Sequence, residues 1–520
     1  MSHRPIISGF HPDPSVCRVG EDYYLVNSSF EYLPGVPVLH SRDLLHWEQI
    51  GNVLDREDQL TLASGRGSGG IFAPTLRHHG GRFWMITTNI ADVRRGHLIV
   101  SAEDPGGPWS TPVHTTGAVG IDPDLAWDAD GTCHLTWASG QPETPILQAA
   151  IDPATGVLLS EPRALWNGTG LAHPEGPHLY RRGSWWYLLI AEGGTERGHT
   201  VSVARSRSID GPFEGHPANP VLTHRSSSHP VQNTGHADLV ELPSGEWAAV
   251  HLGVRPRGTT PGFHVNGRET FLTAVRWEDD WPVFDEGHHK VPESDSGFHE
   301  DFTAPALHPR WISPGVHPAR FAALAEGGGV ALTAARSASE ARHLLAVRTK
   351  DTAWEASAVV GGGDVRLVLR LDDAHWASIE KLGVSLVARV VIGGLDHVLA
   401  DVPRPGHPTM TLCVRAVEPE PDSPYAGAPD LIELGHLDNG EFSRLARFDG
   451  RYFSTEVAGG FTGRVVGVEP LVGTRVVRSF TYRPLTDVHR PSTDTDRSPT
   501  ETHRSPADAP LSPTDTDRPR

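Results

Sequence analysis

An all-β chain, built as a five-bladed β-propeller followed by a β-sandwich, is predicted by two recurring phrases and one change of patterning. The first phrase occurs five times: His11-Pro12-Asp13-Pro14-Ser15, Phe72-Ala73-Pro74-Thr75, Ile121-Asp122-Pro123-Asp124-Leu125, Pro174-Glu175-Gly176-Pro177 and His236-Ala237-Asp238-Leu239. About ten residues after each comes a Gly, Ser or Asp turn and then a hydrophobic strand, beginning near Tyr23, Phe83, His134, Trp185 and Trp247. A period of roughly 50 to 60 residues made of short strands and Gly/Pro turns is the signature of propeller blades. A second phrase falls later in each unit, where an outer strand belongs: His40-Ser41-Arg42-Asp43, Ser101-Ala102-Glu103-Asp104, Ala150-Ile151-Asp152-Pro153 and Arg205-Ser206-Arg207-Ser208. The fifth unit ends differently, in Arg276-Trp277-Glu278-Asp279-Asp280-Trp281.

Residues 1–290 are assigned to the propeller, and the polar stretch 285–297 reads as a linker. From Phe298 to about Leu485, alternating segments such as Val365–Leu371 and Val384–Val391 predict strands with one buried and one wetter face. Several of these over residues 298–485 predict a sandwich of the concanavalin type. The stretch 487–520 changes to Thr, Asp, Arg, Ser and Pro, with Thr-Asp-Thr-Asp-Arg twice, and is expected to be disordered because it has too little apolar surface to offset chain entropy.

A formal charge of −19 over 520 residues argues against a nucleic-acid or anionic membrane surface, which needs clustered Lys and Arg. Three scattered cysteines, Cys17, Cys133 and Cys413, offer neither a disulfide framework nor a CxxC metal spacing. No run of about eighteen apolar residues spans a membrane, and the N-terminus lacks a signal-peptide pattern, so the cytoplasm is the default compartment. Oligomeric state is left open, a homo-oligomer included.

Innermost propeller strands run along a common axis, so equivalent positions of different repeats converge on one funnel. Asp13, Asp122 and Glu175 then face a shared cavity, while repeats two and five carry Ala73 and Ala237 there. Carboxyls sharing a pocket raise one another's pKa, an arrangement suited to acid/base chemistry. Pro14 excludes the right-handed helical region for Asp13 and is expected to hold it extended. Glu175, between Pro174 and Gly176-Pro177, sits in a rigid setting that fixes one carboxyl direction. His236 fits either a core histidine or the funnel floor, and Arg268, at the last blade's entrance, is placed to reach the funnel.

These phrases, with Ala191-Glu192-Gly193-Gly194-Thr195 and Gly267-Arg268-Glu269-Thr270, resemble glycoside hydrolase family 43, specifically its β-xylosidase/α-L-arabinofuranosidase branch with a C-terminal β-sandwich. The resemblance covers residues 4 to about 485. It implies an inverting exo-glycosidase with Asp13 as general base, Glu175 as general acid and Asp122 tuning and orienting the acid. It also implies Arg268 as donor to the terminal sugar, His236 beneath it, and Phe30 and Phe72 as apolar walls. Phe72 departs from the Trp or Tyr of many relatives. Gly459-Gly460-Phe461-Thr462-Gly463 resembles a sandwich loop that reaches the active site, which makes Phe461 a candidate for closing the pocket. No cofactor or metal is needed for the chemistry, although a structural divalent ion such as calcium beside His236 is compatible with it.

The expected partner is a xylo-oligosaccharide or an arabinose-bearing oligosaccharide. Release of terminal xylose from β-1,4-xylo-oligosaccharides leads, and α-L-arabinofuranosidase or dual activity is the alternative. A non-catalytic carbohydrate-binding propeller, in which the acids only accept hydrogen bonds from hydroxyls, is the alternative of another class.

Overall fold

A computed structural model describes residues 3–60, 67–141, 143, 145–337, 340–407 and 409–485. The segment 487–520, expected to be disordered, lies outside the described residues.

Between Ser15 and Asp285 the chain forms five consecutive antiparallel sheets, each entered by its innermost strand: Ser15–Val19, Thr75–His79, Ile121–Trp127, Glu175–Arg182 and Gln232–Glu241. Four sheets have four strands in sequence order, and the third adds a fifth strand beside Ile146–Asp152. Each first phrase stands at the entrance of an innermost strand. The turns that follow lead into the second strands, Asp22–Val26, Arg82–Thr87, Cys133–Ala138, Trp185–Glu192 and Trp247–Val254. The second phrase closes the third strand of its sheet, at Ser41, Ala102, Asp152 and Ser206.

These strands are apolar on both faces because each sheet is covered on both sides. Successive residues of a strand point to opposite faces, so Leu25 packs with Val240 and Val250 of the fifth sheet while Val26 packs with Leu76 and Met85 of the second. Likewise Leu125 joins Ile86 and Ile99, and its neighbour Ala126 joins Leu179 and Leu188. Leu189 then meets Leu239 and Ala249. Five buried clusters thus each join two neighbouring sheets, and the one built on Ile7, Val16 and Val250 joins the last sheet to the first. Ile7 also bridges Thr270 in the fifth sheet. The innermost strands touch in the same cyclic order, leaving their entrances around one axis. All three cysteines are buried and free, and no described helix is long and apolar enough to cross a membrane.

Between Asp285 and Phe298 there is no regular element. Beyond it, two antiparallel sheets of eight and six strands enclose one core containing Leu332, Trp354, Leu367, Ile379, Leu412 and Phe480. Strand Thr474–Pro484 inserts between Val330–Thr333 and Trp354–Val360, so the end of the described chain lies in the middle of its sheet. The two groups of sheets form one compact unit. Ser313 and Pro314 pair with Leu33 and Tyr32, and Phe10 and Tyr32 are buried against Ile312, Leu344, Ala346 and Val465. Burying side chains of this size contributes about 1.5–3 kcal/mol each relative to exposure, which fixes the far sheets over the strand entrances.

Candidate active site

Four of the five strand entrances share an unusual backbone. Asp13, Asp122, Gly176 and His236 have φ of 52°, 54°, 57° and 50°, and Pro14, Pro123, Pro177 and Ala237 follow them. Asp13 is therefore left-handed rather than extended: proline denies its predecessor the right-handed region, and an Asp tolerates the left-handed one. Register shifts between Ile121 and Asp124, Glu175 and His178, and Gly235 and Asp238 mark the same bulge in three sheets.

This register corrects the alignment expected from the sequence. The residues equivalent to Asp13 and Asp122 are Gly176 and His236, not Glu175 and Ala237. The reason is space: a Cβ on Gly176 would stand 3.0 Å from the His236 ring. The fourth sheet accordingly presents its acid from the position before the bulge.

All eight residues singled out, Asp13, Phe30, Phe72, Asp122, Glu175, His236, Arg268 and Phe461, line one cavity of about 850 Å³. Arg268 Nη1 donates to Asp13 Oδ1 at 2.9 Å and to Thr195 Oγ1 at 2.9 Å. Ser28 Oγ donates to Asp13 Oδ2 at 2.5 Å, and His236 Nδ1 lies 4.0 Å from Oδ1. Burial alone would push the Asp13 carboxyl up, but Arg268 and these neighbours outweigh it and hold the group below the usual aspartate range.

The other two carboxyls move the opposite way. Burial, followed by the charge of Asp13, raises Glu175 to about 7. Burial, then Glu175 and Asp13, raises Asp122 well above its ordinary value. Asp122 Oδ2 accepts the Gly176 backbone N–H at 3.1 Å, so Asp122 also holds the residue next to Glu175. The site holds one ionised carboxylate facing a pair that retains a proton near neutrality.

Beneath this layer the positive charge on the axis comes from Arg77. Its guanidinium pairs with Asp124 at 2.8 Å and Asp238 at 2.9 Å, and Ser15 Oγ donates to Asp238 at 2.6 Å. These partners stand two residues beyond the left-handed position in their sheets. Burial lowers the imidazole of His236 itself to about 4. Among the described residues no group of three or more His, Cys, Asp or Glu is arranged to hold a metal ion. A calcium ion there would have Asp13, already committed to Arg268 and Ser28, as its nearest carboxylate.

The apolar wall is aromatic. Phe30 meets Phe72 edge-on with centroids 5.6 Å apart and stacks on Phe461 at 5.9 Å. Phe461 comes from the far sheets, where its backbone N–H donates to Ser68 Oγ at 2.7 Å. Close backbone approach makes this possible: a Cβ on Gly463 would stand 2.2 Å from the Asn266 carbonyl oxygen. Phe461 is thereby brought to 5.5 Å from the Arg268 guanidinium.

The family model for glycosyl hydrolases family 43 matches residues 2–282. The chain belongs to this family. Over 300 residues it is 48% identical to a xylosidase/arabinosidase of Butyrivibrio fibrisolvens, covering 55% of this chain and 57% of that protein. A non-reducing end alpha-L-arabinofuranosidase of Bacteroides ovatus is 45% identical over 282 residues, 54% of this chain and 52% of that one. The chain spans about half the length of the curated relatives it matches.

Among solved structures, a Bacteroides ovatus family 43 protein of a xyloglucan locus superposes with a TM-score of 0.82 at 32% identity, over 93% of this chain and 99% of that one. A xylan beta-1,4-xylosidase of Bacillus halodurans gives 0.82 at 29% identity, over 92% and 99%.

Several groups in this family 43 pocket escaped the sequence reading. Ser28 and Thr195 carry no repeat signal, although Thr195 closes one of the phrases behind the resemblance. His264 and Glu456 come from segments outside the strand entrances and also line the cavity.

Proposed function

We propose that the protein is an exo-acting, inverting glycoside hydrolase on a five-bladed propeller, releasing terminal xylose from β-1,4-xylo-oligosaccharides. The observation that carries this reading is the opposed ionisation within one cavity: Asp13 held below its usual range and Glu175 raised to about 7. A base must be ionised and an acid protonated at the same pH, and this pocket offers one of each.

In the proposed reaction Glu175 gives its proton to the leaving glycosidic oxygen as the bond to the anomeric carbon breaks. Asp13 takes a proton from the water that attacks that carbon from the opposite face. Asp122 shares the acid's proton and holds its backbone. Arg268 keeps Asp13 ionised and offers further N–H groups to the terminal sugar, while Phe30, Phe72 and Phe461 cover its apolar faces.

An α-L-arabinofuranosidase or dual activity is the second reading, favoured by the names of the Butyrivibrio and Bacteroides relatives. Turnover of nitrophenyl β-xyloside against nitrophenyl α-arabinofuranoside separates the two, and negligible xyloside turnover rejects the first. Proton NMR of xylobiose hydrolysis should show α-xylose as the first product; β-xylose would reject inversion. A purely sugar-binding protein would leave both aryl glycosides intact.

A further inference from the structure

The cavity wall carries a polar pair that the proposed reaction does not use. His264 lies on the segment joining strands Trp247–Val254 and Glu269–Glu278, and Glu456 lies on the four-residue helix Thr455–Ala458 of the far sheets. Both line the cavity. The Glu456 carboxylate accepts the His264 backbone N–H at 3.0 Å through Oε2 and meets ring Nδ1 at 2.6 Å through Oε1. Two contacts to one carboxylate hold the ring in place, and His264 is only 7% exposed.

The partner dictates the tautomer. An ionised carboxylate only accepts, so Nδ1 carries the hydrogen, and in the neutral form of the imidazole Nε2 is the acceptor. Burial would raise Glu456, but the hydrogen bonds it accepts from the His264 ring and backbone outweigh it and hold the carboxyl below its ordinary range. Nε2 has no protein partner among the described residues and is not sealed from solvent. A buried histidine that only packs has both nitrogens satisfied or enclosed. This one has a fixed ring and one unspent acceptor on a pocket wall.

Its position says which part of a substrate it meets. Asp13, Asp122 and His236 sit at the innermost strand entrances, and Arg268, just before Glu269–Glu278, reaches Asp13. His264 stands on a segment outside the sheets, where the far sheets bring Glu456 to the same cavity. In the proposed reaction the terminal sugar lies against the group formed by Asp13, Asp122, Glu175 and Arg268, so the wall made by His264 and Glu456 is left for the leaving sugar.

We propose that His264 Nε2 accepts a hydrogen bond from a hydroxyl of the leaving sugar, with Glu456 as the positioning residue that aims the ring. Selection of the leaving group is then shared between the two groups of sheets. This rests on the glycosidase reading above.

The test compares a leaving group that has hydroxyls with one that has none. kcat/KM is measured for wild type and His264→Ala on 4-nitrophenyl β-xyloside and on xylobiose, or on an arabinofuranosyl disaccharide if wild type prefers arabinose. The disaccharide value should fall by about tenfold, the scale of one lost substrate hydrogen bond, with the aryl value changed less than about twofold. His264→Gln, which keeps an acceptor, should recover part of the loss, and Glu456→Gln should raise KM for the disaccharide selectively. If His264→Ala does not fold, these two variants carry the comparison.

Equal losses on both substrates, or none on either, overturn the assignment while leaving the glycosidase reading intact. Wild type inactive on aryl glycosides and disaccharides alike overturns both.

Discussion

Arg268 donates to Asp13 Oδ1 at 2.9 Å, and with the Ser28 hydroxyl it keeps Asp13 ionised in a cavity whose other two carboxyls retain a proton. Without the guanidinium, burial would dominate and the Asp13 pKa would rise. A base works only when ionised, so activity is present above its pKa and lost as pH falls through it. In Arg268→Ala the acidic limb of kcat/KM against pH should therefore move to higher pH. kcat/KM itself should fall about 10²–10³-fold, the scale for removing one donor aimed at a reacting site. An unmoved acidic limb would sink the pairing as the cause of the ionisation.

Asp122 and Glu175 are both raised, each pushed by burial and by neighbouring carboxyls. The two carboxyls titrate as a pair, and once one of them is ionised its charge makes the other's proton harder to lose. Asp122→Asn removes the sharing partner and leaves one titration governed by burial and Asp13. The basic limb of kcat/KM should move down toward pH 7, with the acidic limb in place. A basic limb that stays or rises would separate Asp122 from the acid.

Glu175→Ala should discriminate between leaving groups. General acid catalysis contributes about 10²–10⁴-fold where the departing oxygen is basic, so turnover of xylobiose should fall by that amount. A dinitrophenyl xyloside, whose leaving group departs as a stable anion, should lose much less. Equal losses on both substrates would place the role of Glu175 in binding.

How much of this was legible depends on how local each signal was. The strand entrances could be read because Gly and Pro turns repeat, and their convergence on one axis follows from that repetition. The fourth and fifth entrances were misread by one residue because the bulge, and the His236 ring that leaves room only for glycine at 176, belong to tertiary contact. Phe461 was reached through resemblance. Ser28, Thr195 and His264 carry no period, and Glu456 meets His264 across 192 residues of chain. In the far sheets alternation marks the strands, but packing alone decides that Thr474–Pro484 fills the middle of a sheet.

The last prediction concerns the buried charge that joins the two groups of sheets. Arg370 is 1% exposed; its Nη1 donates to the Tyr32 hydroxyl at 2.5 Å and to Glu31 Oε1 at 3.3 Å. Glu31 Oε2 accepts the Ser68 N–H at 2.9 Å, and Ser68 Oγ accepts the N–H of Phe461. Burial raises Glu31 despite the pull of Arg370, so this carboxylate depends on its partner. Arg370→Ala should cost about 3–5 kcal/mol, the scale for stranding one member of a buried pair, read as a lower urea midpoint. The loss should grow as pH rises, because a carboxyl whose folded pKa is raised binds its proton more tightly in the folded state and destabilises it once ionised. KM should rise as Ser68 and Phe461 loosen, with kcat less affected because Asp13 and Glu175 keep their partners. Adding Glu31→Gln removes the stranded charge and should restore part of the midpoint; a double variant no more stable than Arg370→Ala would show that the charge is not what the guanidinium compensates.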